Sequence, residues 1–208
     1  MFNIFMLEDW YGNIRFISAK DLHKNVLSNN DFPYRWITTT TEILRVCCKK
    51  SFPKDLAKDI VINILNCYAT LLINHDYIFK DGIDIYNLNT VFSLYNVLSS
   101  SDDELIIETR KNFLMSFLLS KTWEALKSKD ISIFDIDLLY KNDEFIKEKE
   151  IWLDDKFNEL FELDNIDFND ELFIMEIQNS FLNIAKNYIQ IYSLSKEELA
   201  NIDKVKLH

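Results

Sequence analysis

Glycine and proline, the residues that most readily stop a helix or turn a chain, number two each in this 208-residue sequence, and all four precede Ile83. Gly12, Pro33, Pro53 and Gly82 lie in the first part; from Ile83 to His208 there is neither residue. Average usage is about 7% Gly and 5% Pro, so most of this chain lacks its usual punctuation. That excludes a Gly-rich phosphate loop or dinucleotide fingerprint, in which glycines let the backbone approach phosphate closely. It also excludes a sandwich of short strands joined by Gly/Pro turns. What remains is a mainly α-helical chain.

The apolar pattern fills in the elements. Asn3 to Leu7 and Asn13 to Ile17 are β-prone runs on either side of a Gly12 turn, and predict an N-terminal β-hairpin. Two strands are marginal alone, so the hairpin is expected to pack on the helices. Ser18 to Asp21 has the form of a capping box opening a short helix to about Ser28. Asn29 to Pro33 reads as loop. Helices are then expected from Thr39 to Lys50, from Pro53 to Asn74, from Leu88 to Leu98 and, after a capping box at Ser101, to Lys127. Ser132 to Asp135 opens a short helix; Asn142 to Leu163 and Asn169 to Leu194 form a long pair. Ser195 to Glu198 is read as capping a separate terminal piece. The expected architecture is a bundle of about seven helices with the hairpin packed on it. It forms one domain, 1–208, with a neutral half, 1–100, and an acidic all-helical half, 101–208.

The last two long helices differ in pattern when residues are placed about 100° apart. In the helix from Asn169, apolar residues (Leu172, Phe173, Ile174, Ile177, Phe181 among them) surround most of the cylinder. Asn179, Asn183, Asn187 and Gln190 form a thin polar stripe, which predicts a central position. In the helix from Asn142, Phe145, Ile146, Trp152, Leu153, Phe157, Leu160 and Leu163 share one arc. Opposite them stand Asp143, Glu144, Glu148, Glu150, Asp154, Asp155, Glu159 and Glu162.

Charge is concentrated in the same place. The chain carries 23 Lys/Arg and 34 Asp/Glu, a net charge of −11. Residues 1–100 balance ten basic against ten acidic groups, whereas residues 101–208 hold 13 against 24. Between Asp143 and Glu176 there are 13 acidic residues and three lysines, so this window accounts for −10. Glu144 and Glu148, Glu150 and Asp154, and Asp155 and Glu159 are like-charge pairs four residues apart, each costing an isolated helix roughly 0.2–0.5 kcal/mol. A surface that serves stability alone would mix signs. An uncompensated ridge finds its countercharge on a basic partner, although acidic helix faces also simply maintain solubility.

Other chemistry is sparse. His23, His75 and His208 are far apart and show no metal-binding spacing; His75 reads as a helix C-terminal cap. Cys47 and Cys48 precede Lys49 and Lys50, yet at a helix C-terminus the dipole disfavours a thiolate. Cys67 reads as a buried structural residue. An odd cysteine count without metal spacing fits a reducing compartment. Asp135 with Asp137, and the Asp164, Asp167, Asp170 and Glu171 group, lack the glycine and ligand alternation of a calcium loop. Asp167 or Asn169 reads as an N-cap. The threonines at 38–41 read as a cap. Trp10 and Tyr11, at the hairpin tip, are candidates for an exposed aromatic contact.

No cofactor and no metal are expected. Net negative charge repels nucleic acid and anionic lipid, so direct binding to either is not expected. The stretch Ile60 to Ile73, broken by Asn63, Asn66 and Thr70, is too short for a bilayer and reads as a core helix. The first seven residues lack the basic lead and apolar length of a secretory signal, and the expected location is cytoplasmic. The expected partner is a basic, nucleic-acid-acting protein. The expected function is a non-catalytic, acidic inhibitor or immunity-type protein that blocks a nuclease toxin or defence nuclease by nucleic-acid mimicry. The alternatives are a helical scaffold or self-associating protein using aromatic contacts, and a metal-dependent hydrolase.

Overall fold

The computed structural model describes residues 4–9, 14–18, 34–36, 44–45, 47–50, 53–73, 85–128 and 133–205. These residues are mainly helical. Six α-helices are found among them: α1 (Lys54–Ile73), α2 (Ile85–Val97), α3 (Glu104–Lys127), α4 (Ile133–Leu139), α5 (Asp143–Phe161) and α6 (Glu171–Val205). The short helix expected from Ser18 lies outside the described residues, as does most of the one from Thr39.

Three short strands, β1 (Ile4–Asp9), β2 (Ile14–Ser18) and β3 (Tyr34–Trp36), pair antiparallel in the order β2-β1-β3. Phe5 stands opposite Ile17 and Leu7 opposite both Arg15 and Trp36. The turn carrying Trp10, Tyr11 and Gly12 lies outside the described residues.

The chain divides into two compact units, Met1–Ser116 and Phe117–His208, the division falling within α3. In the first unit α1 packs on α2. Pro53 precedes α1, and its carbonyl accepts the first helical bond from Ala57 N at 3.0 Å. Ile60, Ile64, Leu65, Tyr68 and Leu72 are buried on one face. Asn66, Thr70 and Ile73 are exposed on the other. The polar interruptions in the apolar tract therefore mark a solvent side. Asn63 Nδ2 donates to Asp59 O at 2.6 Å and Thr70 Oγ1 to Asn66 O at 3.0 Å, which lets these side chains sit in a helix without an unmet donor. Phe92, Tyr95 and Phe113 form the aromatic centre, with Phe113 at 6.2 Å from Phe92 and 5.7 Å from Tyr95.

Arg110 is 3% exposed, its guanidinium 4.5 Å from the Tyr95 ring centroid. Stacking on the ring face partly replaces the hydration this cation gives up. Burial pushes the Tyr95 phenol above its ordinary value, and the neighbouring Arg110 charge pulls it back.

The start of α3 corrects the expected cap. Ser101 Oγ accepts from Asp103 N at 3.3 Å, but Asp103 is the residue that caps the helix. Its Oδ1 accepts from Leu105 N at 3.1 Å and its carbonyl from Ile107 N at 2.9 Å. Asp103 also pairs with Lys58 of α1. A carboxylate serves this position better than a hydroxyl because it meets both the helix dipole and the ammonium group.

In the second unit α6 packs against α5 and α4. Ile177, Phe181, Leu182, Ala185 and Tyr188 are buried on α6. Asn179, Asn183, Lys186 and Asn187 are exposed, as are Leu172 at 76% and Met175 at 53%. Over residues 171–189 the helix is thus amphipathic, with a solvent face, and is not covered all round as expected from its apolar content. It also runs unbroken to Val205, so Ser195 starts no separate piece. Without Gly or Pro nothing interrupts it there.

Candidate acidic interface

Helix α5 is fixed at its start by Asn142, whose backbone is extended (φ −91, ψ 114) and whose Oδ1 accepts from Phe145 N at 2.9 Å. Asp143 and Glu144 follow in the first turn, where the positive helix end favours carboxylates. Phe145, Trp152, Leu153 and Leu160 are buried beneath. The rings interlock with α6: Phe145 lies 5.5 Å from Tyr188, and Trp152 lies 5.4 Å from Phe181. Trp152 Nε1 donates to Ser180 Oγ at 3.0 Å. These contacts set which side of α5 faces out.

All eight carboxylate residues singled out in the sequence (Asp143, Glu144, Glu148, Glu150, Asp154, Asp155, Glu159 and Glu162) are exposed. They form two rows. Asp143, Glu150 and Asp154 lie along one edge of the exposed arc; Glu144, Glu148, Asp155, Glu159 and Glu162 lie along the other. Between the rows, by helical spacing, run Lys147, Ile151 and Asn158, all exposed.

The three helix lysines are too few to balance the eight carboxylates, and one of them leaves the arc. Lys149 turns over the Tyr140 ring, 4.8 Å from its centroid, and burial lowers its pKa. Lys156 Nζ pairs with Glu159 Oε2 at 2.7 Å. Among the carboxylates, Glu148 is held by the Tyr188 side chain across the helix pair. Burial first, and then the bond and charge of Glu148, raise the Tyr188 phenol above its ordinary value.

The link from α5 to α6 keeps the negative charge at the surface while burying its apolar groups. Ile166 and Phe168 are buried, and Phe168 meets Phe117 edge-on with centroids 4.9 Å apart. Asp167 Oδ1 accepts from Asn169 N at 3.1 Å, which tightens the turn. The N-cap of α6 is Asp170, whose Oδ1 accepts from Leu172 N at 2.9 Å and whose carbonyl accepts from Ile174 N at 3.0 Å. Asp167 and Asn169, expected as caps, instead shape the preceding turn.

Sequence reasoning missed the apolar members of this surface. Leu163, assigned to the buried arc, lies beyond the helix end and is 46% exposed; Ile151 is 54% exposed. Leu172 and Met175 are exposed on α6. The only signal in the sequence was that Ile151 falls among the carboxylates by helical spacing.

The remaining candidates are dispersed. Cys47 is half-buried and Cys48 exposed, and burial with the neighbouring Cys48 pushes the Cys47 thiol up to about 11, far from a reactive thiolate. Asp137 is exposed. The three histidines, Trp10, Tyr11 and the side chains of Cys67 and Asp135 lie outside the described residues. Among the described residues no group of three or more His, Cys, Asp or Glu could hold a metal ion. No helix among them is long and apolar enough to cross a membrane.

No protein-family model matches this sequence, and comparisons with curated proteins and with solved structures give no match.

Proposed function

We propose that the chain is a non-catalytic cytoplasmic inhibitor whose α5 surface occupies the basic, nucleic-acid-binding surface of a partner protein. One observation carries this reading: eight exposed carboxylates on α5 and its C-cap Glu162, against which Lys156 pairs with Glu159 while Lys149 lies over the Tyr140 ring. Eight carboxylates outnumber Lys147 and Lys156 on this surface, and a field with such an excess of one sign speeds encounter with a basic groove. Nucleases and their relatives present that kind of groove to phosphate. The scaffold reading receives less support, because the aromatic rings of Trp152, Phe168 and Phe181 are committed to the interior.

The test is affinity capture from the native host with the wild-type chain and with a variant carrying Glu144→Lys, Asp154→Lys, Asp155→Lys and Glu162→Lys. The captured partner should be a basic nucleic-acid-binding protein. It should be absent from the variant's capture and released as salt rises from about 0.05 to 0.5 M, where screening contracts to a few ångströms. A partner retained by the variant at high salt sinks the reading.

A further inference from the structure

The polar stripe of α6 has no part in the acidic surface of α5. Leu172, Glu176, Asn179, Asn183 and Lys186 are all exposed on it. They follow one another at steps of four, three, four and three residues, which sets them in one line along the helix, the spacing of a two-helix seam. Met175 and Asn187, exposed as well, flank the line on either side. Phe181 and Tyr188 point the other way, onto Phe145 and Trp152 of α5. The stripe is made differently from the outer face of α5. Its polar groups are mainly the amides of Asn179, Asn183 and Asn187, and its charges are one Glu176 and one Lys186, in balance. Asn is a poorer helix former than Lys or Glu, so a face that only met solvent gains nothing from it. An amide both donates and accepts, and so can pair with another amide.

The order of these residues is self-complementary. Asn179 and Asn183 stand two residues to either side of Phe181, and Glu176 and Lys186 stand five to either side. Antiparallel helices related by a two-fold axis bring together residues equidistant from that axis, and each contact occurs twice. We infer that the α6 stripe is the seam of a homodimer, with a second copy of this chain lying antiparallel on it and the axis level with position 181. Glu176 then meets Lys186 of the second copy, and Lys186 meets its Glu176. Asn179 and Asn183 pair in the same way, and the second α6 covers Leu172 near its residue 190. Charge selects this arrangement: a parallel copy would set Glu176 against Glu176 and Lys186 against Lys186. A chain of net charge −11 can accept a copy of itself here because the stripe is balanced. Amides within a seam fix its register at a cost in stability, so the dimer is weak and specific. It stands whether or not α5 binds a basic partner.

Sedimentation of the full chain over about 1–300 µM, a range that reports micromolar affinity, tests the seam. The wild type should pass from monomer to dimer; a chain that stays monomeric throughout overturns the inference. Glu176→Lys and Lys186→Glu each set like charges face to face twice. Either change alone should weaken dimerisation at least about tenfold, with the far-ultraviolet circular dichroism unchanged because both positions are exposed. An equal mixture of the two variants restores opposite charges at both contacts and should dimerise like the wild type. The double variant Glu176→Lys with Lys186→Glu should do the same. A dimer that either single variant leaves intact overturns the inference, and so does a loss that neither the mixture nor the double variant repairs.

Discussion

Trp152 and Ser180, 28 residues apart, join α5 to α6 through an indole N–H that donates to a serine hydroxyl at 3.0 Å. Trp152 also packs on Phe181, one residue further along α6. This pair fixes the rotation of α5 about its own axis, and with it the direction of the carboxylate rows. Removing the indole donor while keeping an aromatic ring tests the bond itself. In a double-mutant cycle of Trp152→Phe and Ser180→Ala, urea denaturation should give a coupling of about 0.5–1.5 kcal/mol. A coupling near zero would mean that ring packing alone orients the helix.

Function and stability should pull in opposite directions at Asp154. Asp154→Lys converts the Glu150–Asp154 repulsion into a favourable pair in the preferred orientation. Two such increments amount to a gain of roughly 0.4–1 kcal/mol. The same change should weaken partner binding. A denaturation midpoint below that of wild type would contradict the first half, and unchanged affinity the second.

The α6 cap offers a sharp local comparison. Asp170→Ala removes the bond to Leu172 N and should cost about 1 kcal/mol, whereas Asp170→Ser should retain most of it. Asn169→Ala, at the position expected from sequence to cap, should cost less. Thermal unfolding of the three variants settles the order; an Asn169 effect larger than that of Asp170 would show the cap to be misassigned.

Acid sensitivity should be traceable to Asp103. The Lys58 bond, above all, holds its carboxyl below the ordinary value. A group depressed in the folded state contributes its stability above the unfolded pKa, near 3.9, and loses it as pH falls through the lower folded value. Asp103→Asn should therefore narrow the difference in Tm between about pH 5 and pH 2. An unaltered acid limb would assign that sensitivity to other carboxylates.

Much of the helical architecture was legible because helices leave local marks. The Pro53 start, the apolar period of α5 and the absence of Gly or Pro beyond Gly82 are properties of neighbouring residues. Caps were harder. Ser101, Asp103, Asn169 and Asp170 all have side chains suited to the role, and the choice depended on where Lys58 and the turn at Asp167 stood.

By itself the sequence determined that most of this chain would be helix and that the acidic groups would share one side of α5. Periodicity and punctuation are enough for that, since both act within a few turns. Tertiary structure alone decided that α6 keeps a solvent face, that Leu163 and Leu172 remain outside, and that Lys149 lies over the Tyr140 ring. An apolar residue is buried only if another element arrives to cover it, and a lysine goes to whichever ring or carboxylate the fold brings within reach. Those are facts about neighbours distant in sequence. They are why the acidity of this chain takes the form of an outward surface with apolar side chains set among its charges.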